Sequence, residues 1–222
     1  MKKIIFVCSV LSALLFVSGF SQNVFCQDNS QKLKDVLSKM EEADKNVKTF
    51  ETDFSQEIFY SATSETQNII GNLKYKKPDS IYIEQKTPQE QKIYIDGKKI
   101  TVYTPENAQA IVDDWKNLLN GDFAPASIIS FGGNWKDLSK NNVINYVGED
   151  GESYIVEIYP SAKKDWTMQM SVSKISHYPY KAIITSAGLI IKVNLSNVKT
   201  NQNLKKDVFK FTPPDGVEVI KL

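Results

Sequence analysis

Near residue 48 the spacing of apolar residues along this chain changes. Before it, Leu33, Val36, Leu37, Met40, Ala43 and Val47 recur at three- and four-residue steps, while Lys32, Lys34, Asp35, Lys39, Glu41, Glu42 and Lys45 fill the intervening positions. That spacing is the apolar stripe of an amphipathic α-helix, and Asn29 or Ser30 can cap its start. After Lys48 the period is two. Phe50, Thr52, Phe54, Gln56, Ile58 and Tyr60 alternate with Glu51, Asp53, Ser55 and Glu57, which predicts a strand with one apolar and one wet face. Ile69, Gly71, Leu73 and Tyr75 repeat the pattern, followed by Ile81 with Ile83 and Ile93 with Ile95. Asp96-Gly97 is a two-residue hairpin signal between Lys92–Ile95 and Lys98–Tyr103. Later strands are expected at 143–148, 153–159, 167–176, 181–186, 189–198, 208–212 and 217–221, with turns at Glu149-Asp150-Gly151, Tyr178-Pro179 and Ala187-Gly188.

The middle is less regular. Ala108–Trp115 fits a strand or a helix and is read as a strand. Ala124–Phe131 is short, apolar and uncharged, with Asp122 as a cap and Pro125 in the first turn, and is read as a short helix. The expected sum is about ten or eleven antiparallel strands, one amphipathic helix ahead of them and one short apolar helix among them, with no internal repeat. Strands apolar on one side can close as a two-sheet sandwich with a packed interior, or curl into a barrel or open half-barrel whose interior must be filled or occupied. Two helices are available as a plug or lid, and Met168 and Met170 stand two apart on one side of a strand. Methionine is flexible and polarizable, so the pair suits either a conforming wall or a gap in an ordinary core.

Composition narrows the chemistry. The 27 basic residues are all lysine and stand against 26 acidic ones, for a formal charge of +1; near-neutrality argues against nucleic acid as a partner. The only histidine is His177, and the only cysteines are Cys8 and Cys26. That leaves no set for a structural zinc site, no cysteine–histidine pair, and no cofactor motif. His177, beside Tyr178-Pro179, is read as a turn residue, and Phe131-Gly132-Gly133-Asn134 as a turn rather than a phosphate loop. The chain is read as non-enzymatic, although composition alone leaves a carboxylate enzyme open.

The N-terminus reads Met1-Lys2-Lys3 and then an apolar run from Ile4 to Phe20 diluted by Ser9, Ser12, Ser18 and Gly19, the form of a secretory signal peptide. Cleavage after Cys26 sets Val24 and Cys26 at the recognition positions; cleavage after Gly19 is the alternative. Bulky Phe25 before Cys26 is a poor lipid-anchor signal. Residues 1–26 are assigned to the signal and 27–222 to one exported domain, which without a disulfide is held by its core.

Four segments now combine. Phe54-Ser55-Gln56 opens the strands; Gly71-Asn72-Leu73-Lys74-Tyr75-Lys76-Lys77-Pro78-Asp79 follows; then come Asp96-Gly97-Lys98 with Tyr103-Thr104-Pro105; and Phe209-Lys210-Phe211-Thr212-Pro213-Pro214-Asp215-Gly216-Val217 ends the chain. In type and order they resemble the F-x-Q, G-x-L-x-[hydrophobic]-x-[KR]-P, D-G-K…Y-x-P and F-x-F-x-P-P-x-G-V segments of the periplasmic outer-membrane lipoprotein carrier family, LolA. The resemblance implies an unclosed antiparallel β-barrel with covering helices around an apolar cavity. It implies a monomeric periplasmic chaperone that takes acylated lipoproteins from an inner-membrane ABC transporter and passes them to the outer membrane, where an acceptor lipoprotein can receive them. The expected cavity wall is Phe54, Leu73, Ile81, Ile83, Ile93, Ile95, Met168 and Met170, and the expected lid is Leu37, Met40, Ile128 and Ile129. For each of these a plain core role is the competing reading.

One departure stands out. Where the family carries an arginine that holds the lid shut, this chain has Lys77. An ammonium has no planar fork, so a lysine latch is expected to reach fewer lid carbonyls and hold more loosely. A solvated surface lysine is the competing reading. Rival functions are an outer-membrane acceptor, which needs a better lipid-anchor signal, and a lipid-sensing regulatory domain of the same fold, which usually carries a further domain.

Overall fold

The computed structural model describes residues 21–115 and 139–222, with side chains from Asp28 onward. Helix α1 spans Ser21–Lys45. It starts upstream of the expected cap: Asn29 and Ser30 lie inside it, because no proline or glycine interrupts residues 21–45. Among the described residues twelve strands follow: β1 Thr49–Tyr60, β2 Glu65–Lys76, β3 Ser80–Thr87, β4 Gln91–Asp96, β5 Lys99–Thr104, β6 Gln109–Asp114, β7 Asn142–Asp150, β8 Ser153–Pro160, β9 Trp166–Ser173, β10 Pro179–Ser186, β11 Leu189–Thr200 and β12 Glu218–Lys221. They form one sheet in the order β12-β6-β5-β4-β3-β2-β1-β11-β10-β9-β8-β7. The edges β12 and β7 do not meet, so the barrel is unclosed.

Neighbours are antiparallel except β12, which runs parallel to β6. The ambiguous stretch before Trp115 is strand β6, and Gly97, at φ +67°, supplies the left-handed turn between β4 and β5. The strand expected at 208–212 is absent: Lys206–Phe209 is a 3-10 turn, and Phe209 is buried. Pro213 and Pro214 lack the N–H groups a ladder needs. The segment instead anchors through rings, with Phe211 5.5 Å from Tyr94 and 5.3 Å from Tyr103 on the outer face. The short helix expected at 124–131, with the lid candidates Ile128 and Ile129, lies outside the described residues.

Pairing fixes which residues share a face, since directly opposed residues point the same way. Leu73 opposes Ile83, Ile83 opposes Ile93, and Ile93 opposes Val102. In the other direction Phe54 opposes Leu195, Val193 opposes Ala182, Ala182 opposes Met170, and Met170 opposes Val156. By the same parity all eight expected wall residues fall on one face, which is also the face that α1 packs against.

Candidate functional site: the inner face and the tie that holds its helix

The inner face has two parts. In the first, Val36 and Met40 of α1 sink onto Ile58, Tyr146, Val156, Ile158, Met168, Met170, Val172, Ala182, Ile184, Ile191 and Val193. Val156 and Ile158 are 0% exposed, Met170 1% and Met168 2%. Met168 and Met170 are therefore packed core beneath α1, together with the lid candidate Met40; Leu37 packs half-buried against the same cluster. In the second part, Ile81, Ile83, Ile95 and Ile100 form a separate cluster, against which Phe54, Leu73, Tyr75, Ile93, Val102 and Trp115 pack only half-buried. The eight expected wall residues thus share a face but not a cluster: six lie on or against the second.

Phe54 and Gly71 explain part of that surface. A methyl group on Gly71 would sit 2.6 Å from two carbons of the Phe54 ring and 2.4 Å from the Glu84 carbonyl oxygen. The ring lies directly over the glycine backbone, and only glycine leaves it room.

At the end of α1 the chain makes a tie. Helix C-termini leave carbonyls without internal partners and favour positive charge. Lys77 Nζ donates to the Asp44 carbonyl at 2.7 Å and to Asp44 Oδ2 at 2.6 Å, with both side chains mostly shielded from solvent. Tyr178 Oη donates to the Ala43 carbonyl at 3.0 Å, and Asn201 Nδ2 to the Asn46 carbonyl at 3.1 Å. Burial, reinforced by the Asp44 charge, pushes the Tyr178 hydroxyl up to about 12, and burial followed by the charges of Asp44 and Asp79 does the same to Tyr75. Lys77 reaches one helix carbonyl and one carboxylate. The sequence reading missed Asp44, Tyr178 and Asn201, which stand 33, 101 and 124 positions from Lys77, so no local pattern points to them. His177 occupies the β9–β10 turn at φ +57°, as its neighbours suggested.

The model of the family described as "Outer membrane lipoprotein carrier protein LolA" matches residues 45–212. The chain belongs to this family. It is 29% identical to the outer-membrane lipoprotein carrier protein of Pseudomonas putida (strain W619) over 212 residues, 95% of this chain and 92% of that one. It is 26% identical to its counterpart in Francisella tularensis subsp. novicida (strain U112) over 220 residues, 99% and 97% of the two chains. A crystal structure of an uncharacterized conserved protein from Thermus thermophilus shares the fold at TM-score 0.58 and 11% identity, over 86% of this chain and all of that one. The LolA segments meet in space: Phe54 of the first covers Gly71 of the second, Lys77 of the second grips α1, and Asp79 lies beside Gly97 of the third. Position 77, expected as a latch, carries lysine, and its ammonium meets the C-terminal end of α1.

Proposed function

We propose that this LolA-family carrier is a periplasmic chaperone that shields lipoprotein acyl chains along the half-buried β2–β5 part of its inner face. It receives its cargo from an inner-membrane ABC transporter and delivers it to the outer membrane; residues 1–26 direct its export. The observation that carries the reading is the second cluster, where Phe54, Leu73, Ile93 and Val102 form an apolar surface that the described residues cover only in part. A partly covered apolar surface on one side of a curved sheet suits an apolar guest.

Burying a methylene is worth about 0.8 kcal/mol, so one long acyl chain gains on the order of 10 kcal/mol on leaving water. A lipoprotein with two or three chains cannot cross an aqueous space unaided, and a carrier that captured the whole gain could not release it. Partial cover and a displaceable helix lower the net affinity, because contacts within the carrier are lost as the cargo enters. In this reading Met168 and Met170 become wall only when α1 lifts, and Lys77 and Tyr178 set how readily it does so.

The test is mass spectrometry of the protein purified natively from periplasm. Co-purified acylated lipoprotein, lost when Ile93 and Leu73 are both changed to serine, is the expected result. A carrier that stays empty in cells with ongoing lipoprotein export contradicts the reading.

A further inference from the structure

A cavity of about 350 Å³ opens beside the tie, on a different part of the molecule from the apolar face. Its wall carries four lysines, Lys76, Lys77, Lys206 and Lys210, with Ser80, Asp96 and the buried Phe209. The lysines come from two distant stretches, the β2–β3 turn and the 3-10 turn at Lys206–Phe209 with the residue after it. Lys76 Nζ is fixed by donating to the Leu204 carbonyl at 2.8 Å and has no carboxylate partner among the described residues. Lys206 and Lys210 form no ion pair among the described residues, and Asp96 is the one carboxylate on the wall. Lys77 alone has an anionic partner, Asp44 of α1.

Ammonium groups gathered around a concavity repel one another and raise a positive potential that draws anions. Lysine binds phosphate as a point charge, and Ser80 adds a hydroxyl donor. The volume holds a phosphate group with several waters, each of which occupies about 30 Å³ in the liquid. Lys77 belongs to both structures: the residue lines the cavity, and its ammonium holds α1.

We propose that this lysine-lined cavity binds a phosphate group, free or on a lipid head group, and that the bound group competes with Asp44 for Lys77 and so loosens the C-terminal end of α1. A second anion beside Asp44 repels that carboxylate and draws the shared ammonium away, so occupancy of the cavity and closure of the helix oppose each other. The proposal stands apart from acyl-chain binding, because it needs no cargo.

The experiment follows amide hydrogen exchange of α1 residues 36–45 in the full exported domain while inorganic phosphate is titrated at constant ionic strength with sodium chloride. The expected result is a saturable rise in exchange of fivefold or more, lost in Lys206→Ala/Lys210→Ala, which leaves Lys77 and Asp44 in place. No saturable response to either phosphate or anionic vesicles, an equal response to chloride alone, or phosphate binding with unchanged α1 protection overturns the proposal. Vesicles of phosphatidylcholine with and without phosphatidylglycerol then identify the source: a response only to the anionic vesicles assigns a lipid head group, a response only to free phosphate a soluble anion, and silence toward both overturns the site.

Discussion

The two halves of the inner face are built from the same residue types and differ in what lies over them. On the β7–β11 side, valine, isoleucine and methionine are buried to 0–3% under Val36 and Met40 of α1. On the β2–β5 side, isoleucines of the same alternation end in a small cluster whose flanking residues stay half-buried. Apolar alternation therefore specifies a face, and α1 turns the β7–β11 part of that face into core. The first half is closed by α1; the second is the half in which the proposed guest site lies.

Truncation separates the halves most sharply. Met170→Ala, in the helix-covered cluster, is expected to lower unfolding free energy by about 2–5 kcal/mol, whereas Ile93→Ala, half-buried, costs about 1 kcal/mol and instead weakens acyl-chain binding several-fold. Urea unfolding with a fluorescent fatty-acyl binding assay checks both. Equal stability losses would erase the distinction. Gly71→Ala comes next: its methyl would collide with the Phe54 ring and the Glu84 carbonyl, so a loss of about 1–3 kcal/mol is expected, with a nuclear magnetic resonance shift of the Phe54 ring protons.

Lys77→Leu removes two charge-assisted hydrogen bonds to Asp44. The expected local cost is about 1–3 kcal/mol, seen as faster exchange in the last turns of α1 with little change in β2–β5. Lipoprotein uptake becomes easier and retention poorer; if neither moves, the latch role is wrong. A further effect is alkaline. Tyr75, Tyr146 and Tyr178 are each raised to about 12 from 10, chiefly by burial. The folded state thus holds these protons more tightly than the unfolded state, so the associated stability is complete below pH 10 and is lost as pH rises toward 12. Tyrosine absorbance should titrate together with the release of α1, and Tyr178→Phe should blunt that release.

Much of this was legible in the residues. Period two from Phe50 to Tyr60 and from Leu189 to Leu195 gave strands whose faces the pairing later confirmed, because a one-residue slip would invert every side chain. The stripe Leu33–Val47 gave α1. What escaped depends on distance in sequence. The parallel pairing of β12 with β6 joins residues about 109 apart, and a 3-10 turn at Lys206–Phe209, with Phe209 buried, stands where a strand was expected. Pattern also placed Met168 and Met170 on the correct face without showing that α1 lies over them. Lys77 was found by its place before Pro78, but Asp44 reads as one more polar position on a helix, and Tyr178 as part of a turn. Their roles exist only once the helix end, the β2–β3 turn and the β9–β10 turn come together.

The most direct test puts a photoreactive acyl chain on a lipoprotein substrate and maps its cross-links in the loaded carrier. Cross-links concentrated at Phe54, Leu73, Ile93 and Val102, with α1 present and Met170 labelled only weakly, are predicted. Labelling confined to Met168, Met170 and Val156, with the β2–β5 positions silent, would contradict the account.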